Sequence, residues 1–177
     1  MKYKYVKIAQ FPELAKGAAA LTGAALDGSA EAGTLAQIKN IVGIKDATGS
    51  IERGTDLILR APKDFAIYSG DDATGMALML VGGQGVISVT ANVAPKLMSQ
   101  MCKEAIAGNT TAACEINAKL FALHQKLFVE ANPIPVKWVL NQMGLIDSGI
   151  RLPLVPLSSA NHSVLLNAMK QANISTK

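Results

Sequence analysis

Aromatic residues are scarce: one Trp, three Tyr and four Phe make up 5% of the 177 residues. Base or sugar stacking needs more rings than that, so a nucleic-acid reader is excluded and the core has to be aliphatic. The two cysteines, Cys102 and Cys114, fall in separate helix-like stretches at no metal or redox spacing and read as buried or free thiols. His124 and His162 are the two histidines, and neither has a second ligand at metal spacing, so no metal or other cofactor is expected. Long apolar runs are missing as well. Nothing approaches the ~20 residues of a membrane span, and no membrane partner is expected.

Acidic residues are outnumbered, 13 against 17 Lys and Arg, but the excess of +4 is concentrated at one end. Lys2, Lys4, Lys7 and Lys16 against Glu13 give the first sixteen residues 4 − 1 = +3. The remainder is near neutral and carries no basic stripe able to neutralise several phosphates, so no nucleic-acid partner is expected. Lysines ahead of the small-residue run from Ala18 to Leu26 imitate a signal peptide. Gly and Thr dilute that run, and Pro12 and Glu13 interrupt the charged region, so the expected location is cytoplasmic.

What is present is 50% hydrophobic sequence arranged in a repeating plan. A strand is predicted over Ile41 to Lys45, then a helix from about Ser50 to Arg60, interrupted by Gly54 and closed before Pro62. A second strand follows over Phe65 to Ser69, with a helix from Asp72 to Val81. The third runs from Val86 to Thr90 and leads past Pro95 into a helix reaching about Ala107. Strand-helix alternation with short connections implies parallel strands and right-handed crossovers. Gly82-Gly83-Gln84-Gly85 precedes a strand and so reads as a turn, since a phosphate cradle lies between a strand and a helix. After Gly108 only helices remain: Thr110 to Phe128, Pro135 to Met143 stopped by Gly144, and Ser163 to Gln171.

Each strand starts apolar and ends polar: Lys45-Asp46 with Thr48, Ser69-Gly70-Asp71-Asp72, then Thr90 with Asn92. Carboxyl ends of parallel strands carry the functional groups of α/β folds, so three polar ends describe one wall of a site. Lys45 ends its strand as a lone amine. Locally it reads either as a lysine snorkelling into solvent or as a nucleophile. Asp71 and Asp72 read either as paired carboxylates or as helix-capping acids, with capping favoured for at least one.

Gly43-Ile44-Lys45-Asp46-Ala47-Thr48-Gly49, Ser69-Gly70-Asp71-Asp72-Ala73, Gly85 to Asn92 and Asn132-Pro133-Ile134-Pro135-Val136-Lys137-Trp138 together resemble dihydrodipicolinate synthase. Their order and spacing carry the resemblance from about Leu35 to the C-terminal helix. It implies an α/β protein, a partial (β/α)8 TIM barrel made of the last three βα units and followed by a C-terminal helical extension. The implied division is 1–34 unmatched, disordered or spurious; 35–108 partial barrel; and 109–177 helical extension.

The resemblance also implies that Lys45 condenses with pyruvate and that the enamine then attacks aspartate semialdehyde, in lysine and diaminopimelate biosynthesis. Gly70 and Ile87 are implied to line the pyruvate pocket, and Thr48 to shape the same wall. The family's proton-relaying tyrosine, threonine-rich carboxylate loop and arginine have no counterpart here, so the chain is expected to be truncated and inactive alone. Tyr3, Tyr5 and Tyr68 fit no family motif and receive no catalytic role. A homo-oligomer is expected if the barrel is completed. Two alternatives stay open: an interaction fragment that docks on an intact subunit or complements a separate N-terminal half, and a related aldolase such as N-acetylneuraminate lyase.

Overall fold

The structure, a computed structural model, describes residues 21–22, 33 and 35–177. The readings that concern residues 1–34, including the signal-like run and Tyr3 and Tyr5, lie outside the described residues except at Leu21, Thr22 and Gly33. Two compact units are present, Met1–Ser88 with Ala105–Gly108, and Val89–Glu104 with Asn109–Lys177.

The first unit holds a parallel sheet in the order β1 (Leu21–Thr22), β2 (Gly43–Asp46), β3 (Ala66–Ser69), β4 (Gly85–Val86). β1 is an addition to the three predicted strands, pairing Leu21 with Ile44 and Thr22 with Lys45. A two-residue strand in an Ala- and Gly-rich stretch leaves no periodic signal to read. Helix α1 (Ile51–Arg60) connects β2 to β3, and α2 (Asp72–Leu80) connects β3 to β4. Ser50 starts α1 by accepting from the Arg53 amide at 3.1 Å. Glu52 in the first turn and Arg60 in the last suit the helix dipole. Asp71 starts α2, its carboxylate accepting from the Thr74 amide at 2.8 Å and hydroxyl at 2.7 Å.

Strand alternation divides the sheet into two chemistries. Ile44 and Ile67 point one way and join Leu57, Phe65 and Leu78 in the buried core under the helices. Gly43, Lys45, Ala66 and Tyr68 therefore point to the other, inner face. Gly54 does not interrupt α1 as the sequence suggests, because a Cβ there would collide with Leu78 Cδ1 of α2. The glycine is a packing requirement between two helices, and the helix runs through it.

β4 is shorter than predicted, ending at Val86, while Thr90–Asn92 forms a 3-10 helix. Local bonds take over: the Asn92 side-chain amide donates to the Val89 carbonyl at 3.0 Å, and the Val93 and Ala94 amides donate to Thr90. The predicted turn before β4 is present, with Gly82 at φ +118. Gln84 adds a pair of bonds to β3, its amide donating to the Ile67 carbonyl at 2.9 Å and its side-chain oxygen accepting from the Ile67 amide at 2.6 Å.

The second unit is helical, with most of α3 (Pro95–Ile106), and α4 (Thr110–Lys126), α5 (Ile134–Gln142) and α6 (His162–Gln171). Its buried aliphatic centre includes Leu120, Leu123, Val139 and Leu165. Pro135 lies in the first turn of α5, and Gly144 at φ +70 ends it, as the turn residues predict. Among the described residues no helix is long and apolar enough to cross a membrane.

Candidate active site

Lys45 is the third residue of β2 and half-buried, its side chain on the inner face. The arm does not stand straight out of the sheet. A Cβ built on Gly70 would lie 2.7 Å from Lys45 Cε and 2.7 Å from Ala47 Cβ. The arm thus crosses the bare α-carbon of Gly70, and the glycine is the lane in which the lysine lies. The Gly70 amide donates to the Asp46 carbonyl at 2.7 Å and holds that lane against β2 just past the last paired residues.

Ile87 follows β4, its amide donating to the Ser69 carbonyl at 2.8 Å. Val86 faces the helices, where a Cβ on Gly75 would meet its Cγ2 at 3.0 Å. By alternation Ile87 is on the Lys45 face. It is 45% exposed, a large apolar side chain standing open at the strand end. The structure thus brings Lys45 and Gly70 into contact and sets Ile87 on the same face. Thr48 lies in the loop after β2, its amide donating to Asp46 Oδ1 at 3.1 Å and its hydroxyl accepting from the Ser50 amide at 3.3 Å. Those bonds build the approach to α1.

Asp46 points away from Lys45, toward the helices, where Arg53 Nε stands 3.6 Å from its carboxylate; their side chains are 3% and 14% exposed. Arg53 Nε and Nη2 have no hydrogen-bond partner among the described residues, so the pair is held by charge. An ion pair removed from water costs several kcal/mol when one partner is lost. Here it ties the end of the lysine strand to the first turn of α1. Alternation alone places Asp46 on that face, but nothing in the spacing identifies Arg53 as its partner.

Tyr68 is the register partner of Lys45 on β3. Burial pushes its phenol above the ordinary value of 10.0 and so favours the neutral form. Among the predicted capping acids, Asp71 serves as cap, and Asp72 is buried in the first turn of α2. His124 shares a buried hydrogen bond with the Thr90 hydroxyl, Nδ1 to Oγ1 2.9 Å, while His162 stacks on Trp138 with centroids 4.6 Å apart. Both histidines have packing roles. Among the described residues no cluster of three or more His, Cys, Asp or Glu could hold a metal ion.

This geometry agrees with likenesses to known proteins. The model of the dihydrodipicolinate synthetase family matches residues 11–172, reaching further back than the resemblance read from about Leu35. The 4-hydroxy-tetrahydrodipicolinate synthase of Nitrosospira multiformis is 66% identical over 140 residues, 79% of this chain and 47% of that protein. Its counterpart in Nitrosomonas eutropha is 63% identical over 140 residues, 79% and 48% of the two chains. Among solved structures, the chloride-inhibited dihydrodipicolinate synthase of Acinetobacter baumannii complexed with pyruvate is similar at a TM-score of 0.81 and 54% identity, covering 84% of this chain and 51% of that one. The chain spans about half the length of the curated relatives it matches. The expected α/β class and partial (β/α)8 barrel hold on these findings, which favour neither the N-acetylneuraminate lyase nor the docking-fragment alternative.

Proposed function

Because this chain belongs to the dihydrodipicolinate synthetase family, we propose that it is part of a cytoplasmic 4-hydroxy-tetrahydrodipicolinate synthase in which Lys45 forms the Schiff base with pyruvate. The observation that carries the reading is the Lys45 arm lying across Gly70 at the carboxyl end of a parallel strand. An amine held in one lane attacks a ketone from a restricted direction, which is what orientation contributes to rate.

The step is a condensation. The neutral amine adds to the pyruvate carbonyl, water leaves, and a C=N bond replaces C=O. Protonated, that imine draws electrons from the methyl group, which loses a proton to give an enamine. The enamine carbon then bonds to the aldehyde carbon of aspartate semialdehyde. Gly70 and Ile87 form a small apolar wall suited to a compact ketoacid, and Thr48 shapes the loop beside it.

The proton relay and the carboxylate holder come from other strands of the barrel, so the described residues support imine formation ahead of the full condensation. A completed barrel assembles as a homo-oligomer. The test is reduction with borohydride in the presence of pyruvate, read by mass spectrometry of the Lys45 peptide. A carboxyethyl adduct at Lys45, absent in Lys45→Ala, is expected; no adduct in folded protein refutes the reading.

A further inference from the structure

The inner face carries a ring directly beneath the lysine lane. β2 and β3 pair Lys45 with Tyr68, and β3 and β4 pair Tyr68 with Gly85, so the three residues form one row across one face of the sheet. Neighbouring strands stand about 4.8 Å apart, and Tyr68 fills the middle of the row. Gly85 supplies its seat. A Cβ on Gly85 would be 3.2 Å from Cδ1 and 3.3 Å from Cε1 of Tyr68, so the ring lies over the bare backbone of β4.

The lysine arm leans the other way. Its Cε passes over Gly70, the next residue on this face just past β3, and Ile87 is the next just past β4. An upper row of Lys45 arm, Gly70 and Ile87 therefore stands above a lower row of Tyr68 seated on Gly85. The described residues behind it on this face, Gly43 and Ala66, are small. Among the described residues, the tyrosine is the one side chain there large enough to limit depth.

We propose that Tyr68 is the floor of the 2-oxo acid site, a specificity-determining residue whose ring, seated on Gly85, restricts the acid condensing with Lys45 to three carbons. This rests on the Schiff-base reading of Lys45. The side chain of the acid beyond its ketone carbon extends from the imine toward the sheet and meets the ring there. On this proposal the ring disfavours any chain longer than a methyl group. Aromatic rings suit this task because only two torsions need fixing, and one methylene in a tight apolar pocket is worth about 10–200-fold in selectivity.

The experiment is competitive trapping. The protein, Tyr68→Phe, Tyr68→Leu and Tyr68→Ala are incubated with equimolar pyruvate and 2-oxobutyrate and reduced with borohydride. In each case the amine and ketone condense with loss of water, and hydride from borohydride reduces the imine carbon to a secondary amine. Three- and four-carbon adducts at Lys45 are then counted by mass. Tyr68→Ala is expected to raise the four-to-three-carbon ratio about tenfold or more, Tyr68→Leu to raise it less, and Tyr68→Phe, which keeps the ring, to retain the unmodified preference. Tyr68→Leu decides the matter if the alanine variant does not fold. An unchanged ratio in the alanine and leucine variants, with pyruvate still trapped, overturns the floor alone. A shifted ratio in Tyr68→Phe also overturns it, by assigning selectivity to the hydroxyl. No adduct with either acid in any folded protein overturns the Schiff-base reading itself.

Discussion

Replacing Gly70 with alanine puts a methyl group into the lane that Lys45 occupies. The new Cβ would stand 2.7 Å from Lys45 Cε, 2.7 Å from Ala47 Cβ and 3.0 Å from the Ala47 α-carbon. Carbon atoms rest about 3.5–4.0 Å apart, so each contact is short by roughly 1 Å. The lysine arm can swing aside at small cost, whereas the Ala47 α-carbon is backbone and moves only with the loop. Overpacking of this kind costs about 1–3 kcal/mol. The effect on chemistry is larger than on stability, because a displacement of about 1 Å at a reacting group lowers rates by about 10²-fold. The assay is the initial rate of borohydride trapping over a range of pyruvate concentrations, with urea denaturation on the same preparation. Gly70→Ala is expected to fold, to lose about 1–3 kcal/mol and to trap pyruvate about a hundredfold more slowly. A folded Gly70→Ala trapping at the unmodified rate would refute the claim that the glycine positions the amine.

Three further outcomes follow from the geometry. The Tyr68 phenol, raised above 10.0 by burial, keeps its proton in the folded state when the unfolded chain has lost it, so stability should fall as pH rises above about 10; the absorbance difference between the unmodified protein and Tyr68→Phe should show phenolate appearing later than in free tyrosine. Thr90→Val removes the buried bond to His124 and should cost about 1–3 kcal/mol in chemical denaturation; a change below about 0.5 kcal/mol would show the bond to be dispensable. Gly54→Ala gains about 1 kcal/mol of helix propensity but meets Leu78 Cδ1, an overpacking cost of about 1–3 kcal/mol; it should fail to stabilise, and a higher melting temperature would count against tight α1–α2 packing.

The strands β2 and β3 and the helices were legible because their patterns are long enough to repeat: α1 and α2 lie within a residue or two of their predicted bounds, each after a capping Ser or Asp. β1 was not, since two residues carry no period. The third strand was overread because Val, Ile and Thr favour strands locally, while Asn92 and Thr90 close a turn that propensity does not register. Within the site, Lys45, Gly70 and Ile87 were readable from motifs, but what Gly70 is for required seeing the lysine arm cross it. Tyr68 belongs to no motif. The usable signal was parity, because parallel strands in register place Tyr68 on the Lys45 face once the pairing is known. The Asp46–Arg53 pair joins a strand to the helix after it, and no sequence period links those positions.

The two capped helix starts have an electrostatic consequence for any acid arriving at this strand end. Free amides at a helix N-terminus attract carboxylates and phosphates. Here the Arg53 amide is occupied by the Ser50 hydroxyl, and the Thr74 amide by the carboxylate of Asp71. The second start presents a negative charge of its own. Those two amides are therefore closed to an arriving carboxylate, and the Asp71 charge repels one at the start of α2.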